Sequence, residues 1–335
     1  MGTDDMCSEA NTMACLYVSQ TTYEASQLGR IELHPPHRTG PVHLPESEQS
    51  VLPVTVWVLR GAPEPFPVVV WSHGGGSRRN PGESAPAWSQ AFAEAGYAVL
   101  AMHHLARSRR DLQENVCGQL GVPATECDAA VYTEVYESMD RGQDATSILD
   151  SLDVIGKFFN VRLDKERIAV AGHSGGTNAP LYLSGGTRNV LHSTLSGELL
   201  FAHPDSRPKA FLGLSPPGGS SAGWLLQSLR SIDRPFLTAT GAGDLEPSKR
   251  IELQYQLAPG DKFRLFINSV SAIHTVFNLG LGANPNTEVQ ETFHKWLVSC
   301  AVAFLDAYVR DSEVAHAWLR SGNIATAIDA QVEPR

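Results

Sequence analysis

No uninterrupted apolar stretch in this chain reaches the roughly 20 residues that a membrane-spanning helix needs, so no span is expected. Basic residues are few: 26 Lys and Arg stand against 36 Asp and Glu, and they form no block. A net charge of −10 without a basic patch excludes nucleic acid and anionic membrane surfaces as natural partners. Cysteine is sparse. Cys7 and Cys15 lie close together, as do Cys117 and Cys127, and Cys300 is left over. That spacing permits two short-loop disulfides, but free thiols are the plainer reading. No Cys/His spacing resembles a zinc site, and no metal is expected. The segment Met1–Met6 carries early acids and no apolar core, so no secretory signal is visible and a cytoplasmic protein is favoured. There is no internal repeat and no linker between domains. Residues 1–45 read as an irregular arm with an edge strand at most, and 46–335 as a single domain.

What is present centres on Ile168-Ala169-Val170-Ala171-Gly172-His173-Ser174-Gly175-Gly176. The apolar run is too short for a helix and reads as a buried strand. It passes directly into Gly-x-Ser-x-Gly and then into Thr177–Leu183, which has helical character. Strand, tight turn and helix form the context that exposes a nucleophilic serine above a sheet. Gly172 and Gly176 are needed where a Cβ would strike the neighbouring strand or helix.

The rest of the chain alternates. Strands are expected at 51–59, with Pro53 suggesting an edge position, and at 65–71, 97–102, 208–214, 235–240 and 262–267. Helices are expected at 86–95, at 144–159 with Ala145, Ile148, Leu149, Leu152, Ile155 and Phe159 on one stripe, and in a long closing element from Val289 to Tyr308. Alternating strands and helices imply a mostly parallel sheet with helices on both faces. Residues 105–140 and 185–206 are longer than ordinary connections and read as insertions over the site.

Active groups in such a sheet belong on loops beyond the strands' C-terminal ends. Asp244 follows one strand on the turn Gly241-Ala242-Gly243, and His274 follows the last. Alone, Asp244 is as ordinary as a helix cap and His274 as a surface histidine. Together with Ser174 they give the order Ser, Asp, His that defines a nucleophile, an orienting acid and a base. A serine hydroxyl attacks only when a neutral imidazole accepts its proton, and the carboxylate holds the tautomer. The oxyanion needs two donors: the backbone N–H of Gly175, and one from His73-Gly74-Gly75-Gly76, with Gly75 favoured over Gly74. Trp71, His104 and Trp224 are candidates for the substrate pocket, with Trp88 beside them, although at least two of the three tryptophans read more naturally as core. His173 reads as packing below the turn. His103 and His104 do not read as a metal pair, because adjacent residues at a strand end face opposite ways. The glycine run is no phosphate loop, since no Gly-Lys-Ser/Thr follows it.

Val69–Arg78, the helix around Asp144 and Asp150, the motif Gly172–Gly176, and His274 together resemble the α/β-hydrolase superfamily. Within it, the likeness is to platelet-activating-factor-acetylhydrolase-like and dienelactone-hydrolase-like serine esterases, and it covers about residues 50–310. The resemblance implies the α/β-hydrolase fold, no cofactor, and a small-molecule ester substrate cleaved through an acyl-enzyme. Amide, polyester or phospholipid acetyl substrates are the alternatives on the same fold, and a binding protein without catalysis is a further one. Dienelactone hydrolases use a cysteine; Ser174 departs from that and points to esters. His103-His104 also departs, because the family tends to place an acid before this histidine.

Overall fold

The continuous apolar runs form the middle of a sheet in which the described residues supply nine strands. The structure is a computed structural model, and it describes residues 15–19, 24–38, 51–75, 86–105, 129–190, 198–217, 222–244, 258–279, 287–324 and 330–334. Within these, the strands are β1 (Ala25–Leu33), β2 (Leu52–Leu59), β3 (Phe66–Ser72), β4 (Ala98–Met102), β5 (Leu163–His173), β6 (Thr187–Asn189), β7 (Leu200–Ala202), β8 (Ala210–Leu214), β9 (Phe236–Gly241), β10 (Lys262–Ile267) and β11 (Ala330–Pro334). The large sheet runs β1-β2-β4-β3-β5-β8-β9-β10-β11, while β6 and β7 pair separately. From β4 through β3, β5, β8 and β9 to β10, every pairing is parallel. Strand β2 runs antiparallel to both neighbours, and β11 runs antiparallel to β10.

Strand β3 shows why these runs carry no polar alternation: it is buried along its whole length, because both faces are covered. Its side chains diverge with a period of two. Val69 and Trp71 enter the core layer that holds Trp88, Phe92, Trp296 and Phe304. Phe66, Val68 and Val70 enter the opposite layer with Ile148, Ile155, Tyr182 and Trp224. Helices α1 (Pro86–Glu94) and α5 (Thr287–Val309) cover the first face. Helices α2 (Ala129–Asp150), α3 (Leu152–Phe159) and α4 (Asn178–Leu183) cover the second. A short α6 (Glu313–Leu319) follows α5.

The structure differs from the sequence reading in several places. Pro53 does not mark an edge: β2 lies between β1 and β4. Proline is tolerated there because the β2–β4 ladder begins one residue later, at Val54, and only the Pro53 carbonyl is used, accepting from the His103 N–H. The expected helix 144–159 breaks at Ser151, where α2 ends and α3 begins. Ser147 and Ser151 each donate back to a carbonyl four residues earlier, a contact that bends helices. Val289, expected on the buried stripe of the closing helix, is exposed, and that helix is followed by α6 and by β11, which returns to the sheet. Of the expected insertions, 106–128 and 191–197 lie outside the described residues, and the rest supplies the start of α2 and the β6–β7 pair.

Cys15 is disulfide-bonded, which overturns the free-thiol reading for that residue; its partner lies outside the described residues. Cys300 is free and buried in the core, and burial pushes its thiol up to about 12. Among the described residues, no helix is long and apolar enough to cross a membrane.

Candidate functional site

Ser174 sits where β5 turns through a 3-10 segment, Ser174–Thr177, into α4. Its φ is 52°, left-handed backbone that non-glycine residues enter only at a cost. Close packing leaves the turn no room elsewhere. A Cβ on Gly172 would lie 2.3 Å from the Gly176 carbonyl oxygen, and one on Gly176 would lie 2.1 Å from that of Ser72. The turn therefore nests between β3 and its own helix, and Ser174 stays half-buried at the surface of the nest.

Asp244 and His274 meet beside it. Asp244 closes a tight turn after β9 with its N–H on the Gly241 carbonyl at 3.0 Å, and Thr240 donates to its Oδ2 at 3.1 Å. A Cβ on Gly243 would lie 2.2 Å from the Val270 carbonyl oxygen, so this turn interlocks with the loop that carries His274. His274 Nδ1 lies 3.2 Å from Asp244 Oδ1. The acid is buried, whereas the histidine side chain is 44% exposed, so its other ring edge remains reachable.

A residue that the sequence did not single out completes this pair. Ser215, at the end of β8, places Oγ 2.6 Å from His274 Nδ1 and donates a short hydrogen bond to Asp244 Oδ2. It is fully buried and holds a φ of 47°. Only its place beyond a parallel strand marked it in the sequence.

The segment holding Ser174 adjoins His274 through His173. His173 Nε2 donates to the His274 carbonyl at 3.1 Å, and the two rings lie 4.8 Å apart. Burial, and then the neighbouring His274, lower the His173 pKa to about 3, so the ring is neutral. This agrees with a packing role below the turn. Ser174 Oγ makes no hydrogen bond to the His274 ring in this structure.

The glycine loop after β3 packs against the same turn. A Cβ on Gly74 would stand 2.7 Å from His173 Nδ1 and 3.1 Å from Ser174 Cβ, while one on Gly175 would make ordinary contact with the Gly75 carbonyl at 3.5 Å. Gly75 has a φ of 74°. Gly76 lies outside the described residues. Ser174, Gly175, Gly74 and Gly75 are thus brought together, with the Asp244–His274 pair alongside.

The other candidates lie elsewhere. Trp71, Trp88 and Trp224 are fully buried in the two core layers and do not line an open cleft. His104 is also buried, in a chain of its own: its Nε2 lies 2.9 Å from Ser72 Oγ and its Nδ1 2.7 Å from Asp144 Oδ2. The residue types match a nucleophile, base and acid, but none of the three is more than 1% exposed. Burial, and then Arg141, lower the His104 pKa to about 4. Burial alone would raise the Asp144 carboxyl, yet Arg38, His104 and His37 hold it well below the usual range. His103 turns to Thr55 Oγ1 instead, at 2.8 Å. Among the described residues, no group of three or more His, Cys, Asp and Glu is placed to hold a metal.

No protein-family model matches the chain, and no curated protein matches it in sequence.

Proposed function

We propose that this chain is a serine hydrolase of the α/β-hydrolase type that cleaves carboxylic esters through an acyl-enzyme. The observation that carries the reading is the Asp244–His274 pair, at 3.2 Å, in loops adjoining a serine held at φ 52°. The strand order, with Ser174, Asp244 and His274 each beyond the C-terminal end of a parallel strand, supports it.

In this reading, Ser174 Oγ attacks the ester carbonyl while His274 Nε2 takes its proton. Asp244 holds Nδ1–H and stabilises the imidazolium. The N–H groups of Gly175 and Gly75 receive the oxyanion, and the imidazolium returns its proton to the departing alcohol. Water then repeats the sequence on the acyl-enzyme, and no cofactor takes part. The serine–imidazole hydrogen bond is the contact that substrate tightens, as is common in free enzymes.

Hydrolysis of p-nitrophenyl esters of increasing acyl length tests the reading. The proposal expects turnover that Ser174→Ala and His274→Ala each abolish. A folded wild-type protein that hydrolyses none of them would favour a binding protein on the same scaffold. The Cys15 disulfide favours an oxidising compartment over the cytoplasm expected from the N-terminus.

A further inference from the structure

We infer that Arg141 is the positioning residue of the oxyanion site: its guanidinium clamps the His73–Gly75 loop and sets its charge beneath both donor segments. The inference rests on the esterase reading above and deepens it. Arg141 projects from α2 and is 2% exposed. Its Nη1 donates to the His73 carbonyl at 2.5 Å and to Ser72 Oγ at 3.2 Å, and its Nη2 donates a short hydrogen bond to the Gly75 carbonyl. One rigid fork therefore reaches two carbonyls of the same loop, which an ammonium on a flexible stem does not do.

The His73 carbonyl shares its peptide plane with the Gly74 N–H, pointing the opposite way, so Arg141 fixes that N–H directly. Its hold on the Gly75 carbonyl anchors the far side of Gly75, so the Gly75 N–H is pinned between two held carbonyls. The loop needs such a clamp. Gly74 and Gly75 have no Cβ to hinder rotation, and glycine backbone is the most permissive there is. The same guanidinium sits against the serine turn, where a Cβ on Gly175 would lie 3.6 Å from Nη2. A cation at that depth acts through a medium less polarisable than water, so it counts for more in a transition state that gains negative charge. Its field is already visible in the ground state, where after burial it is the largest influence lowering His104.

Arg141→Met and Arg141→Lys test the inference. Steady-state ester kinetics, the inhibition constant of a trifluoromethyl ketone that mimics the tetrahedral state, and thermal melts are measured on both. Arg141→Met is expected to lower kcat by about 10²-fold with KM within about threefold, and to weaken the ketone by the same factor as kcat. Arg141→Lys keeps the charge and loses the fork, so an intermediate loss of about tenfold in kcat is expected. A purely structural role would lower the melting temperature without this matched loss of kcat and ketone affinity. Folded Arg141→Met with wild-type kcat and ketone affinity would overturn the inference. Should that variant not fold, Arg141→Lys with wild-type values on both would overturn it equally. A wild-type protein without esterase activity would overturn the underlying reading, and this inference with it.

Discussion

Ser215 Oγ lies 2.6 Å from His274 Nδ1 and donates to the far oxygen of Asp244, so the histidine and the carboxylate share a third partner. That hydroxyl is held in place by a left-handed residue at φ 47°. Ser215→Ala and Ser215→Gly should both lower kcat by about tenfold, the worth of one hydrogen bond to a charged group. Their melting temperatures should differ, with the glycine variant higher, because a Cβ in left-handed backbone costs roughly 1–2 kcal/mol. Ester kinetics and melting curves of the two variants check both halves. Unchanged kcat in both would leave Ser215 with only a packing role.

Ser174, His274 and Asp244 act as one unit in this account. Ser174→Ala and His274→Ala should each remove nearly all turnover, and the double variant should be hardly worse than either. Asp244→Asn should cost less than Ser174→Ala, about 10⁴-fold, since it keeps the geometry while favouring the wrong tautomer. Rate losses that multiplied in the double variant would show that the two residues serve separate steps.

The glycines of the serine turn should differ sharply in tolerance. Gly172→Ala and Gly176→Ala would each drive a Cβ to within 2.3 Å of backbone, where no side chain can move aside, and should destabilise by about 3 kcal/mol or more. Gly175→Ala meets nothing closer than 3.5 Å and should keep the wild-type melting temperature. Denaturant midpoints of the three variants decide the matter. A stable Gly176→Ala would mean that the turn does not sit in the nest described above.

Acid should weaken the fold well before carboxylates titrate. Burial lowers His103 and His173 to about 3 and His104 to about 4, while the same groups in an unfolded chain titrate near the ordinary histidine value of 6.5. Below that value the unfolded chain binds protons that the native state refuses. Stability is thus fully present above pH 6.5 and is lost as pH falls toward 4, at up to about 1.4 kcal/mol per pH unit for each histidine. Melting temperature measured from pH 7.5 down to pH 4.5 should fall steadily, and His103→Gln should flatten the fall. A melting temperature constant over that range would contradict the burial of these rings as neutral groups.

Much of the sheet was legible because interior strands are apolar on both faces: β3, β4, β5, β8, β9 and β10 fell within two residues of the expected starts, except at β5, where a charged extension begins at Leu163. The outer strands were not. Strand β1 carries a register shift between Gln27 and Gly29, and β11 is short, polar and ends in proline, so neither shows a clean period. In the candidate site, Ser174, Asp244 and His274 could be singled out from sequence because each follows a strand end. Ser215 and Arg141 were not, because their roles depend on contacts 59 and 66 residues away in sequence. The tryptophans stayed open between pocket and core for a related reason. Residue type marks a large apolar side chain, but only packing tells a pocket wall from a core.

The most direct test of the central claim is mass-spectrometric mapping of the adduct formed when the folded protein meets a fluorophosphonate. The account predicts a single phosphonylated peptide, modified at Ser174, with its formation lost in His274→Ala and its appearance matching the loss of esterase activity. Phosphonylation at another serine, or none at all on a protein that melts cooperatively, would contradict it.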